Sequence, residues 1–262
     1  MQYGVCADPV FAPAIAAAGF DFIELNVQKH LKPMDEEPAF LDELPHIQAS
    51  PLPALAANSF FPAALKITGP KVDWQALEHY ASTAFRRAEA AGVRTVVFGS
   101  GGARRIPDGF DRERAWSQLV RFGKMIGPLA ERHGVTVVVE PLNATRDESN
   151  VLTTIGESAR YMRDVNHPNV RLLIDAYHWG LDNDSFDDLV TNAPFIRHVH
   201  IATVESRVPP GFEPCDFSDF FRALKVGGYD GPVSIEAGWT DLEAQLEEAY
   251  RALTGLAKEA GL

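Results

Sequence analysis

Several residues able to bind a metal or move a proton stand where short apolar runs end. The run VTVVVE ends on Glu140, VRLLID ends on Asp175, GPVSIE ends on Glu236, and IRHVHIA carries His198 and His200 near its end. Three carboxylates held close together repel one another and cannot all stay ionised without a cation. Carboxylate oxygens with an imidazole nitrogen suit Mn²⁺, Mg²⁺ or Co²⁺ better than a thiolate-seeking ion. If the runs are strands whose ends meet, they predict a site for one divalent metal ion.

Each of these residues also has an ordinary structural explanation. A single acid after a strand often caps the next helix, and a histidine within a strand is often a hydrogen-bonded core residue. His198 and His200 share one face of their strand, so one could bind the ion while the other supports it. The metal-site interpretation therefore depends on four successive strands that carry such residues at the same end.

The elements that must bring these residues together follow from a regular alternation. Short apolar runs alternate with longer helical patterns, and several runs are apolar on both faces, as buried parallel strands are. Asp73 and Asp111 mark helix starts, and Gly92 and Gly134 mark helix ends. Eight strands alternating with eight helices predict one closed (β/α)8 TIM barrel, a single domain over residues 1–262, in which active sites form at the carboxyl ends of the strands. The runs are YGVCA, DFIELN, LPALAANS, RTVVFGS, VTVVVE, VRLLID, IRHVHIA and GPVSIE.

Two segments fit this alternation less directly. The segment MDEEPAFLDELPHI is the weakest helical pattern, because Pro38 and Pro45 limit it. GSGG at 99–102 lacks the rest of a dinucleotide-binding fingerprint and is interpreted as a barrel loop.

Composition narrows the classes of partner. The chain has 262 residues and a net charge of −12, from 36 acids and 24 bases, so its surface repels phosphate backbones and we expect no nucleic-acid partner. Cys6 and Cys215 fit no metal or disulfide framework and are expected to be reduced thiols. The first residues lack the pattern of a signal peptide, and no run approaches the roughly 18 apolar residues of a membrane span. A cytoplasmic protein that does not bind membranes is expected.

The strand-end segments carry a family resemblance. VVVEPLN, LLIDAYH, HVHIATVESRVPPG and VSIEAGW resemble those of the xylose isomerase-like TIM barrel superfamily. Within it they are similar to the sugar (phosphate) isomerase and epimerase branch, which includes ketose 3-epimerases and hydroxypyruvate isomerase. The segments GVRTVVFGSGGARRIPDGFD and GGYDGPVSIE extend the resemblance over essentially the whole chain. The resemblance implies a small-molecule substrate, a sugar or a keto acid.

The same resemblance implies a metal cofactor and a catalytic pair. One divalent ion is implied, with Mn²⁺ favoured and Mg²⁺, Co²⁺ or Zn²⁺ as alternatives. Its implied ligands are Glu140, Asp175, His200 and Glu236. Glu140 and Glu236 are further implied to act as acid and base on opposite faces of the substrate, moving a proton next to a carbonyl through an enediolate. Return of the proton to the same carbon gives epimerisation, and return to the neighbouring carbon gives isomerisation.

Further positions concern substrate binding. His178, three residues after Asp175, and Arg207, shortly after His200, are implied to contact substrate oxygens. Taken alone, His178 could instead cap a helix or support a metal ligand, and Arg207 could form a surface salt bridge. Ketose epimerases carry a substrate-contacting glutamate six residues after the first metal glutamate, where this chain has Arg146. Glu148 could replace that glutamate or could only cap the following helix.

Other residues and the oligomeric state have more than one interpretation. Arg104, Arg105 and Arg146 could pair with a substrate carboxylate or phosphate, or could be solvated. Glu24 and Asn58, at the ends of the second and third strands, could support the site or face solvent. Since family members often pair, a homodimer or homotetramer is expected.

Three other functions use the same scaffold. A dehydratase acting on a keto-inositol or a related acid would use the same metal chemistry but expel a hydroxyl group. An abasic-site endonuclease shares the fold, but one four-ligand cluster and a net charge of −12 argue against it. The third alternative is a non-catalytic barrel that binds a sugar, and the complete set of metal ligands argues against it.

Overall fold

Eight parallel strands close into one barrel in the computed structural model, which describes residues 1–262. Each strand pairs with the next along the chain, and the eighth pairs with the first. The predicted fold is confirmed. The strands are β1 Gln2–Cys6, β2 Phe22–Asn26, β3 Ala54–Asn58, β4 Thr95–Phe98, β5 Thr136–Val139, β6 Val170–Asp175, β7 Ile196–Ile201 and β8 Pro232–Ile235.

Ten α-helices accompany the strands. They are α1 Ala12–Ala17, α2 Glu37–Gln48, α3 Trp74–Ala90, α4 Gly101–Arg104, α5 Arg112–Arg132, α6 Ile155–Val165, α7 Ala176–Leu181, α8 Phe186–Asn192, α9 Ser218–Val226 and α10 Leu242–Ala260. The expected caps of α3 and α5 are present, since the side chain of Asp73 accepts from the Ala76 N–H and that of Asp111 from the Arg114 N–H. These caps fix where the two long helices begin.

The helix count differs from strict alternation at two places. The segment GSGG is not wholly a loop, because Gly101 begins the one-turn helix α4 directly after β4. The second addition, α7, starts at once after β6, and the carboxylate of Asp175 accepts from the Tyr177 N–H as its cap. Such short helices cannot show a periodic apolar pattern, which is why the sequence did not reveal them.

Side chains inside the barrel are separated from those that pack against the helices. Val97, Val138 and Leu173 form a small buried cluster of their own, while their strand neighbours belong to a core of 63 residues. Because side chains alternate along a strand, the residues two positions further along also face inward. This alternation places Glu140 and Asp175 on the inner face of the barrel mouth.

No helix of the structure combines the length and apolarity that crossing a membrane requires.

Candidate active site

Four predicted metal ligands converge at the carboxyl end of the barrel. One ligand atom from each of these side chains lies within 4.8 Å of the others, in the group Glu140, Asp175, His200 and Glu236. His200 Nδ1 is 3.7 Å from Glu140 Oε1 and 3.6 Å from Glu236 Oε2. Atoms that share one ion at bonds of about 2.1 Å stand about 3–4 Å apart. We call this group the four-residue cluster.

Unpartnered atoms inside the cluster fit a cation. Glu140 Oε1 and His200 Nδ1 are buried and have no hydrogen-bond partner. A buried polar atom without a partner costs free energy, unless an ion or ligand completes it. Two such atoms facing the same point, one from a carboxylate and one from an imidazole, are suitable donors for a divalent ion.

The pKa values of the carboxylates in the cluster also indicate a cation site. Burial is the main cause that raises the pKa of Asp175 to about 7, and the charges of Glu140 and Glu236 raise it further while Arg207 opposes them. Burial also raises the pKa of Glu140. For Glu236 burial acts in the same direction, but His200 and Arg207 outweigh it and bring the pKa to about 2. Glu140 and Asp175 therefore lack compensating positive charge, which a cation would supply.

A buried carboxylate lies behind the cluster. Glu24, on β2, accepts a hydrogen bond from His200 Nε2 at 2.9 Å and one from His198 Nε2 at 2.7 Å. The oxygen that contacts His198 also accepts from Ser234 Oγ at 2.7 Å. Both histidines thus contact Glu24 through Nε2, and His200 is the one whose other nitrogen, Nδ1, faces the cluster.

His178 lies beside the cluster with a defined proton position. Its Nδ1 accepts from the Asn143 main-chain N–H at 3.3 Å, so its proton is on Nε2. That atom is buried and unpartnered, 3.6 Å from Glu140 Oε1 and 3.7 Å from Asp175 Oδ2. Burial is the main cause that lowers the pKa of His178 to about 3. A neutral imidazole therefore presents one N–H donor to the site.

Glu148 joins the site through Asn143. The Asn143 side-chain amide donates to Glu148 Oε1 at 2.9 Å, and Glu148 Oε2 lies 3.9 Å from His178 Nε2. The Glu148 side chain is about one third exposed, so one side of its carboxylate faces solvent. Asn143 thus holds one carboxylate oxygen of Glu148, and the other lies toward His178.

Arg207 closes another side of the cluster. Its Nη2 donates to Glu236 Oε2 at 2.5 Å and to Asp175 Oδ2 at 3.4 Å, and its guanidinium stacks on the Tyr177 ring at 4.4 Å. Its backbone has φ of 52°, in the left-handed region. Two hydrogen bonds hold that conformation, from the Arg207 N–H to the Thr203 carbonyl and from the Gly238 N–H to the Arg207 carbonyl.

A cavity of about 230 Å³ adjoins the cluster at the ends of β1, β2 and β3. Asn58 connects the two, because its Nδ2 donates to Glu236 Oε1 at 3.0 Å. Elsewhere in its lining Lys29 donates to Asp8, and His30 Nε2 lies 3.6 Å from the same carboxylate. The cavity is therefore polar and its lysine is already paired, a lining suited to hydroxyl groups.

The arginines after β4 do not face the cluster. Arg104 is fully buried and donates to the main-chain oxygens of Phe98, Glu140 and Leu152, which excludes the solvated alternative. Arg105 pairs with Asp147 on the surface. Arg104 thus fixes the main chain that carries Glu140 and is not available to a substrate.

Arg146 bridges two loops at the barrel mouth. Its guanidinium donates to Tyr177 Oη at 3.2 Å and to the Glu205 carbonyl at 2.7 Å. These contacts hold the loop after β5 against the loop after β7. The position is therefore structural in this chain.

Sequence reasoning did not single out Ser234, Asn143 or Cys6 as site residues. Ser234 stands two residues before Glu236, so strand alternation alone places both on the inner face. Cys6 Sγ lies within 4.8 Å of ligand atoms of His200 and Glu236, although burial raises its pKa well above the usual value and keeps the thiol neutral. No sequence signal pointed to Asn143, which lies in the loop after β5.

Parts of the chain are similar to sugar epimerases and isomerases. A ketose 3-epimerase from Arthrobacter globiformis is 36% identical over 116 residues, which cover 43% of this chain and 39% of the relative. A D-psicose 3-epimerase from Agrobacterium fabrum is 32% identical over 112 residues, 42% of this chain and 38% of the relative. A putative hydroxypyruvate isomerase from Mus musculus is 28% identical over 141 residues, 51% of each chain. The match thus spans about half the length of these relatives or less.

Solved structures show the same fold over nearly the whole chain. A D-allulose 3-epimerase from Methylomonas sp. superimposes with a TM-score of 0.82 and 22% identity, covering 98% of both chains. A structure described as the IOLI protein with a binding zinc atom has a TM-score of 0.72 and 18% identity, covering 99% of this chain and 98% of that one. The family described as "Xylose isomerase-like TIM barrel" matches residues 12–257. The chain therefore belongs to the xylose isomerase-like TIM barrel family.

Proposed function

We propose that the protein is a divalent-metal-dependent sugar isomerase or epimerase. The observation that carries the proposal is the four-residue cluster, in which buried, unpartnered ligand atoms from different strands face one point. The names of its relatives, ketose 3-epimerase and D-psicose 3-epimerase among them, support the reaction class.

The proposed metal ligands are the four members of the cluster, Glu140, Asp175, His200 and Glu236. Three carboxylates and one imidazole favour Mn²⁺, with Mg²⁺, Co²⁺ or Zn²⁺ as alternatives. When bound, such an ion acts as a Lewis acid that polarises a carbonyl and makes the neighbouring C–H bond more acidic. The protein contributes the positions of the ligands and of the groups that move the proton.

Glu140 and Glu236 are the proposed acid and base. They follow β5 and β8 and approach His200 Nδ1 from different strands, at 3.7 and 3.6 Å. A substrate seated between them would offer one face to each carboxylate. One glutamate removes the proton from the carbon next to the carbonyl, and the other delivers a proton to the opposite face or to the neighbouring carbon.

His178, Arg207 and Glu148 are the proposed substrate contacts. His178 offers its buried Nε2–H, Arg207 a guanidinium, and Glu148 two carboxylate oxygens. Donors and acceptors around the cluster would orient the oxygens of a polyhydroxy carbonyl compound. The adjoining cavity, in which Lys29 is already paired with Asp8, favours hydroxyl groups over a phosphate.

The test is proton exchange in deuterated water with Mn²⁺ present, over a set of ketoses, aldoses and hydroxy-keto acids. Deuterium incorporation without loss of water supports the isomerase or epimerase, whereas incorporation with loss of water identifies a dehydratase. Glu140→Gln and Glu236→Gln should each abolish exchange, because an amide neither takes up nor releases the proton. Glu259→Gln, the same change in an exposed carboxylate in the last turn of α10, serves as the matched control. Near-normal exchange in either active-site variant would remove that residue from the proposed role.

A further inference from the structure

Glu24 occupies an unusual position beneath the four-residue cluster. It is 1% exposed, in the interior of the barrel, where an unpaired carboxylate would be very costly. Three donors from two other strands compensate it, namely His198 and His200 on β7 and Ser234 on β8, at 2.7–2.9 Å. The carboxylate is therefore a fixed acceptor.

The two oxygens of Glu24 have separate partners. Oε2 accepts from His198 Nε2 and Ser234 Oγ, whereas Oε1 accepts from His200 Nε2 alone. Since an ionised carboxylate can only accept, His200 must keep a proton on Nε2. Its Nδ1, on the other side of the same ring, then faces Glu140 and Glu236.

We infer that Glu24 is a positioning residue that holds His200 as the Nε2–H tautomer and thereby keeps the Nδ1 lone pair directed at the metal position. The inference rests on the proposed function, because it assigns the group that prepares one proposed ligand. A histidine ligand binds through a nitrogen without a proton, and the partner of its other nitrogen decides which nitrogen that is.

The isosteric variant Glu24→Gln tests this role. If the new side-chain amide turned its oxygen toward His198 and Ser234, its NH₂ group would face His200 Nε2. His200 would then carry its proton on Nδ1, directed at the cluster, where it competes with a cation. In the reverse orientation the NH₂ group would face His198 Nε2, and His198 would have to carry its proton on Nδ1. That nitrogen is buried without a partner, so this orientation would leave a buried N–H unpaired. We therefore expect weaker metal binding although the side-chain volume is nearly unchanged.

The first measurement is the affinity for Mn²⁺ by isothermal titration calorimetry. Glu24→Gln should raise the dissociation constant by roughly 10–100-fold. Ser234→Ala, which removes a partner of Oε2 but leaves the His200 contact, should weaken Mn²⁺ binding much less than Glu24→Gln does. Glu259→Gln, in the exposed last turn of α10, controls for the lost charge. Equal affinity in wild type and Glu24→Gln would overturn the inference, and so would an equally large loss in Ser234→Ala.

The second measurement reads the tautomer in the wild-type protein. In the Zn²⁺-loaded, ¹⁵N-histidine-labelled protein, His200 Nε2 should carry a directly bonded proton and Nδ1 none. A proton on Nδ1 would overturn the inference even if the Glu24→Gln variant failed to fold. Absence of any divalent-metal binding by the wild type would instead defeat the proposed function and the inference with it, so the two failures are distinguishable.

Discussion

Replacing Gly99 by alanine should displace a proposed metal ligand without altering any functional group. Gly99 follows β4, two residues after the inward-facing Val97. A Cβ atom placed on it would lie 2.4 Å from Glu140 Oε2. Its backbone is not in the left-handed region, so the added methyl group introduces no backbone strain. The whole effect of the substitution should therefore act on Glu140.

The size of the displacement follows from contact distances. Cβ atoms essentially never approach other heavy atoms closer than 3.0 Å, and ordinary contacts begin at 3.4 Å. Glu140 Oε2 must therefore retreat by 0.6–1.0 Å, the difference between these limits and 2.4 Å. Metal–ligand distances tolerate about 0.2 Å, and a misplacement of about 1 Å can cost about 100-fold in rate. We expect Gly99→Ala to lower the proton-exchange rate by about two orders of magnitude and to weaken Mn²⁺ binding.

Folding should be affected much less than binding. The atom that must move, Glu140 Oε2, is the end of a flexible side chain, which can shift without displacing the backbone. Thermal denaturation of the metal-free protein should therefore give a similar midpoint for wild type and variant. Gly255→Ala in α10, where an added Cβ meets nothing within 4 Å, is the matched control and should retain full activity.

One outcome would refute this reasoning. If Gly99→Ala folds, binds Mn²⁺ as tightly as wild type and exchanges protons at the wild-type rate, then the position of the Glu140 carboxylate is not important for the site. A loss of activity that accompanies unfolding would contradict the expected separation of folding from binding.

Two further predictions concern stability. Arg104→Met should lower the free energy of unfolding by about 1–3 kcal/mol in urea denaturation, because the Glu140 carbonyl loses the hydrogen bond that Arg104 donates. Burial lowers the pKa of Arg104 to about 10, so removing this buried charge offsets part of the loss. Unchanged stability would contradict the structural role of Arg104. Mn²⁺ at about 100 times its dissociation constant should stabilise the folded state by about 2.7 kcal/mol, a rise of about 5–10 °C in the thermal midpoint that EDTA reverses. No midpoint shift in the presence of Mn²⁺ would count against the metal site.

Much of the architecture was predictable from the sequence because it depends on local patterns. Alternating apolar runs and capped helices indicated the barrel, and parallel strands in a closed barrel place all their carboxyl ends at one mouth. Glu140, which follows β5, and Asp175, which ends β6, could therefore be assigned to one site although they lie 35 positions apart in the sequence. The short helices α4 and α7 escaped prediction because so few turns carry no periodicity.

The sequence alone determined which strands carry acids and histidines at their ends, since alternation along a strand is a local property of the chain. Only the tertiary structure decided what those side chains contact. Glu24 meets His200 across 176 residues, Asn58 meets Glu236 across 178, and Arg104 turns away from the mouth into the main chain behind Glu140. Such contacts depend on the closure of the barrel and on the direction of each side chain within it, which no local pattern encodes.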